Sequence, residues 1–183
     1  MPHIHDKPGQ HDFTASAFIY REFPDGEYKL LLHRHKIHNV YLQVGGHVEL
    51  NESPWSAVMH EITEESGYEP SQLAVLQYAG AVKNLTRAVS HPQPLNVNTH
   101  IFDKETQHYH TDIAFAFHTK ETPNLPIGKG ESQDIIYVGL SELEDFTPDS
   151  IFPNVRELGV YGFVEALDKW EQIPAQSYST LSE

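Results

Sequence analysis

Gly46-His-Val-Glu-Leu-Asn-Glu52, followed by His60-Glu61-Ile62-Thr63-Glu64-Glu65-Ser66-Gly67-Tyr68, is the stretch on which the reading of this chain turns. Between the two halves, Ser53 reads as a helix N-cap with Pro54 at the first helical position, where the missing N–H was unpaired anyway. At about 100° per residue, Glu61, Glu64 and Glu65 fall at i, i+3 and i+4 and project side by side from one helix. Like charges at that spacing repel by roughly 0.2–0.5 kcal/mol per pair. A divalent cation reverses the sign, because hard cations seek several oxygen ligands at close range. A solvated acidic face is the ordinary reading of a Glu-rich helix. The glycine loop before it and the ending at Gly67, where a helix C-terminus wants a left-handed residue, favour the cation here.

Working outward, Trp55, Val58, Met59 and Ile62 form the apolar stripe of this helix, and the carboxylates lie about a third of a turn round from it. The helix thus offers one face to a core and another to a cleft. Upstream, Phe13 to Phe23 alternates and is β-prone, Pro24-Asp25-Gly26 is a turn signal, and Tyr28 to His33 reads as the returning strand. Downstream, Leu73 to Val82, Ile113 to His118 and Ile135 to Val138 read as strands, with a long polar stretch from Lys83 to Thr111. Val155, Leu158, Gly162, Ala166, Leu167 and Trp170 recur at helical spacing, so Pro153 to Trp170 is expected to be a helix packed on the sheet. The expected organisation is a polar N-terminal tail over 1–12, one domain over 13–170 and a polar C-terminal tail over 171–183. Periodicity alone gives an α/β or α+β single domain.

Composition narrows the function classes. The 183 residues suit one domain with a sizeable core. No apolar run approaches a membrane span, and the N-terminus shows no apolar signal segment. The absence of cysteine removes disulfides, thiolate metal sites and a cysteine nucleophile, and fits a cytoplasmic protein. A formal net charge of −14 argues against a nucleic-acid partner gripped through its phosphates. An acidic chain can still take a small phosphorylated substrate if cations lie between the two anions. The 13 histidines leave room for a second metal or phosphate site. His108, His110 and Asp112 would share one face of a strand, with His100 upstream and His118 continuing it. They could meet a metal or a substrate phosphate, or simply hydrogen-bond along a sheet face. His3, His5 and His11 read as tail residues without a role.

The stretch from Gly46 to Tyr68 resembles the Nudix box, Gly-x5-Glu-x7-Arg-Glu-U-x-Glu-Glu-x-Gly-U with U a bulky apolar residue. Gly46, Glu52, Glu61, Ile62, Glu64, Glu65 and Gly67 match at the required spacing, and Tyr68 is a loose fit for the last U. His60 departs from the pattern, standing where the family has Arg. The resemblance implies an α/β/α sandwich with a mixed β-sheet between helices. It implies a Mg²⁺- or Mn²⁺-dependent hydrolase that cleaves the diphosphate bond of a small nucleoside-diphosphate-linked substrate by water attack on phosphorus. Glu64 and Glu65 then resemble the main metal ligands, Glu61 a further ligand or water-positioning residue, and the Gly46 carbonyl a part of the same shell. Glu52 resembles a loop-fixing residue; a surface acid near a helix start is its plain alternative. Glu131 occupies the kind of loop where relatives carry a fourth ligand or general base, with an ordinary loop role nearly as apt and Asp134 as substitute. Substrate contacts are expected from Arg87, His110 and Asp112, with Lys83 and His91 in the same long loop as Arg87.

His60 leaves three readings open: a charged substitute for Arg, a neutral hydrogen-bond donor, or a degraded site. The alternative function is accordingly a catalytically impaired Nudix-fold module that binds or senses a nucleotide. Retention of Glu61, Glu64, Glu65 and Gly46 favours the enzyme. Isopentenyl diphosphate isomerase shares the fold but relies on a cysteine, and RNA decapping wants a basic surface; both are set aside. Many relatives dimerise, which leaves a homodimer open by analogy.

Overall fold

A computed structural model describes residues 4–180 apart from 6, 83, 104 and 106, so Lys83 and His3 lie outside the described residues. The chain forms a mixed open sheet with helices on both faces, as expected. Its central pair is β1 (His11–Glu22) and β7 (His108–Thr119), which run parallel in unbroken register from His11 opposite Tyr109 to Arg21 opposite Thr119. β2 (Tyr28–Arg34) returns antiparallel on β1 after the turn at Pro24-Asp25-Gly26. β3 (Tyr41–Leu42) pairs with β2, and β4 (Val44–His47) pairs with the first half of β1, Gly46 opposite Ala15. β5 (Ala74–Gln77), β6 (Asn96–Asp103) and β8 (Ile135–Val138) complete the sheet against β7, β7 and β2.

The strand alternation sorts side chains into two cores. Ala15, Ala17, Ile19, Phe115 and Phe117 face α1 (Pro54–Ser66) and bury Trp55, Val58, Met59 and Ile62 of its apolar stripe. Phe18, Tyr20, Leu30 and Leu32 face the other way, against Leu143 of α2 (Leu140–Glu144) and Val155 of α3 (Pro153–Tyr161). The C-terminal helix continues through a π-helical turn, Gly162–Ala166, into α4 (Leu167–Lys169). Among the described residues, no helix is long and apolar enough to cross a membrane.

Two stretches expected as tails belong to the body of the fold. Glu171–Pro174 forms β9, which pairs antiparallel with β5, and Ala175 is buried. At the other end β1 begins at His11, and Asp12 has no exposed surface. The polar appearance of both segments misleads because strand pairing uses backbone groups, which hydropathy does not report. The stretch from Lys83 to Thr111, read as long and polar, contains β6, in which Asn96, Asn98 and His100 alternate with other side chains.

Candidate active site

The carboxylate helix is fixed at both ends by local chemistry. Ser53 accepts the Ser56 N–H at 3.1 Å, and Ser56 Oγ accepts the Ser53 N–H at 2.8 Å. Gly67 closes the helix at φ 73°, with its N–H on the Thr63 carbonyl, and a Cβ there would collide with the Leu125 carbonyl. Gly45, on β4, lies so close to the Ala15 carbonyl that any side chain would strike it. These constraints bring β4 against the C-terminal half of α1.

Glu65 reaches across that contact: its Oε2 accepts the Gly45 N–H at 2.9 Å and stands 3.7 Å from His33 Nε2. Glu61 and Glu65 are buried, 5% and 8% exposed, whereas the Glu64 side chain is half exposed. Burial pushes the Glu61 carboxyl up to about 7, with Glu64, Glu131 and Glu52 adding repulsion against the opposing pull of His60. Burial pushes Glu65 up to about 8 against the opposing Gly45 hydrogen bond, reinforced by the charges of Glu61, Glu131 and Glu64. His33 cannot relieve this, since burial drives its own pKa down to about 4 and keeps the ring neutral.

Glu131 is drawn into the group by its loop. The Gly128 N–H donates to the Glu64 carbonyl at 2.7 Å, and the Glu131 N–H to the Gly128 carbonyl at 3.0 Å, which pins the loop to the end of α1. Asp134, the substitute candidate, instead faces the Tyr41 hydroxyl at 3.4 Å. His60 sits between two acids, Nε2 3.1 Å from Glu64 and Nδ1 3.4 Å from Glu52. Partial burial opposes its charge, but the Glu64 hydrogen bond and the charges of Glu64, Glu61 and Glu52 prevail and raise its pKa. Glu52 also accepts the Glu49 N–H at 3.3 Å, closing its loop.

The expected substrate contacts fare differently. Asp112 is buried and accepts the hydroxyls of Thr14 at 2.9 Å and Ser16 at 2.8 Å, so its carboxylate is taken up inside the sheet and burial raises its pKa. A buried carboxylate facing two protein hydroxyls is poorly placed to meet a phosphate. His110 stacks on Phe102 and gathers with His47 and Asp12 rather than with the helix carboxylates. Arg87 lies exposed at φ 60° in the loop between β5 and β6, and the described structure shows no contact between it and the helix carboxylates. His118 is at the far end of β7, 3.4 Å from Glu22.

Sequence reasoning passed over His33, Asp12 and His47. It also dismissed two histidines that hold the fold: His5 Nδ1 lies 2.8 Å from Asp12, and His11 Nδ1 lies 3.0 Å from Thr111 Oγ1 with its ring stacked on Tyr109. The only signal for Asp12 was its position two residues before a period-two run of small polar residues, Thr14 and Ser16.

The family profile for the NUDIX domain matches residues 11–158. Among solved structures, a hydrolase of the NUDIX family from Clostridium perfringens is similar at TM-score 0.67 and 25% identity, over 87% of this chain and 97% of that one. An Ap4A hydrolase from C. elegans, solved as a binary complex, is similar at TM-score 0.58 and 18% identity, over 80% and 91% of the two chains. The NUDIX domain of Shewanella oneidensis NrtR, solved with ADP ribose, is similar at TM-score 0.58 and 13% identity, over 82% and 84%. The last two share the fold. No curated protein matches the chain in sequence.

Proposed function

The chain belongs to the NUDIX hydrolase family, and on that premise we propose that it is a metal-dependent pyrophosphohydrolase acting on a small nucleoside-diphosphate-linked substrate. One observation carries the reading: Glu61 and Glu65 are buried side by side with carboxyl pKa values pushed up to about 7 and about 8. Two buried acids that resist ionisation cost the empty fold free energy, and His33, neutral in the same pocket, does not offset it. The donor set is all oxygen, which suits Mg²⁺ or Mn²⁺ rather than a softer ion.

Glu61, Glu64, Glu65 and the Gly46 carbonyl would hold the cation. When bound, it screens the non-bridging phosphate oxygens and lowers the pKa of a coordinated water. The chain's own groups then set the geometry. The Gly45 N–H fixes one oxygen of Glu65 and so aims the other. Glu131, whose charge reaches both buried acids, would orient or deprotonate the attacking water. His60, whose pKa its acidic neighbours raise, would tie Glu64 to Glu52 as the family's Arg would tie a box carboxylate. Arg87, on its exposed loop, is offered for contact with a substrate phosphate.

The test is turnover of a panel comprising ADP-ribose, dinucleoside polyphosphates, nucleotide sugars and nucleoside triphosphates. It is run with Mg²⁺, with Mn²⁺ and with chelator, and with Glu65→Gln as control. Metal-dependent turnover lost in Glu65→Gln supports the hydrolase and names its substrate class. Retained nucleotide binding without turnover of any member replaces it with the ligand-sensing alternative.

A further inference from the structure

A second group of ligand-type side chains gathers away from the carboxylate helix, at the start of β1 and β7. We propose that Asp12, His47 and His110 bind one transition-metal dication of the zinc class, which clamps the N-terminal residues Ile4 and His5 onto the sheet. One carboxylate oxygen and two imidazole nitrogens from β1, β4 and β7 lie within 4.8 Å of one another. Ligands about 2.0–2.2 Å from a tetrahedral ion stand roughly 3.4 Å apart, a contraction that side-chain rotation supplies. Asp12 has no exposed surface, His110 is 8% exposed and the His47 side chain 10%.

The surroundings are those of a ligand set. The N–H groups of Ile4 and His5 donate to the Asp12 carboxylate at 3.1 and 2.9 Å, which fixes its orientation from those residues themselves. His5 Nδ1 at 2.8 Å and His108 Nε2 at 3.3 Å from the same carboxylate are in reach of a fourth position. A recess of about 330 Å³ lined by Ile4, His5, Asp12, Val48 and Glu49 opens there and gives an entry path.

A plain ion-pair network accounts for this less well. The His47 and His110 rings are 5.0 Å apart and those of His108 and His110 5.4 Å. Protonating more than one of them sets like charges against each other in a dry site. A dication neutralises the carboxylate while every imidazole stays neutral. The nitrogen-rich set selects zinc-like ions over Mg²⁺, so the two sites differ in what they accept.

The experiment titrates Zn²⁺ into chelator-stripped full-length protein in excess Mg²⁺, reading bound metal after desalting and the shift in thermal midpoint. The expected result is about one equivalent retained, with a raised midpoint. It persists in the Glu61→Gln/Glu64→Gln/Glu65→Gln variant and weakens on the order of 100-fold or more in His47→Ala/His110→Ala. Co²⁺ bound to the wild-type protein, showing the intense visible bands of a tetrahedral nitrogen–oxygen site, supports the proposal even if that variant fails to fold. No retained zinc, weak octahedral Co²⁺ bands, or zinc lost with the glutamates and kept without the two histidines overturns it.

Discussion

Two clusters of titratable side chains divide this molecule. The one on α1 is local, all oxygen and built by helical spacing; the one at Asp12 is assembled from positions 5, 12, 47, 108 and 110 and is mostly imidazole. In the first, burial pushes carboxyl pKa values up because acids face acids. In the second, burial also penalises the Asp12 charge, but hydrogen bonds from His5 and Ile4 and the pull of His47 win and hold its pKa down. A carboxyl group, glutamate in one site and aspartate in the other, thus takes opposite shifts according to its neighbours. A site of crowded acids calls for a hard oxygen-seeking cation, while a carboxylate held in orientation by donors and flanked by imidazoles suits a softer one.

The sharpest way to break this contrast is Glu65→Gln. Loss of residues that merely support a metal ligand costs about 10–100-fold, so loss of a direct ligand should lower kcat/KM by more than about 100-fold. Steady-state kinetics on the best substrate of the panel checks it. A fall of less than tenfold would place the chemistry elsewhere.

Asp112 tests the structural side. Asp112→Ala leaves the Thr14 and Ser16 hydroxyls without their acceptor in a dry sheet, which should cost about 2–4 kcal/mol in urea unfolding. A raised KM with an unchanged unfolding midpoint would restore the substrate contact expected from sequence.

The contrast also explains what the sequence made legible. Glu61, Glu64 and Glu65 announce themselves because a helix converts spacing directly into proximity, the strand from Phe13 to Phe23 announces itself by alternation, and Ile135 to Val138 by a short apolar run. Asp12 and His47 meet only because β1 pairs with β4 in one register, Thr14 opposite His47. Nothing within a window of ten residues encodes that register. β9 was hidden for a related reason, since an edge strand of Glu, Gln, Ile and Pro is held by backbone bonds to β5.

A metal-free pH series sharpens the electrostatic half. Glu61 and Glu65 have folded pKa values above their unfolded value of 4.5, so in between the folded state holds more protons and stability falls as pH rises. His33, lowered from 6.5 to about 4, acts in the opposite sense below about 6.5. The clean window is therefore from about 6.5 to about 8, where unfolding free energy should drop by about 2 kcal/mol in chelator. Saturating Mg²⁺ should flatten that slope, because a bound cation keeps the carboxylates ionised. A flat profile in chelator would mean that the two acids are ionised without a cation.

The smallest effect belongs to His60. Its ring is half exposed between Glu52 and Glu64, so solvent screening limits the pair to about 0.3–0.5 kcal/mol. The sign follows from its raised pKa: the stabilisation is full below the unfolded value and disappears as pH rises through the folded one. In metal-free protein, His60→Ala should therefore lower the unfolding free energy by about 0.5 kcal/mol near pH 6 and leave it unchanged near pH 9. His60→Arg should hold the pair at both, because guanidinium keeps its charge throughout. Equal losses for His60→Ala at the two pH values would make the ring a neutral hydrogen-bond donor, and no loss at either would mean that Glu52 and Glu64 need no bridge.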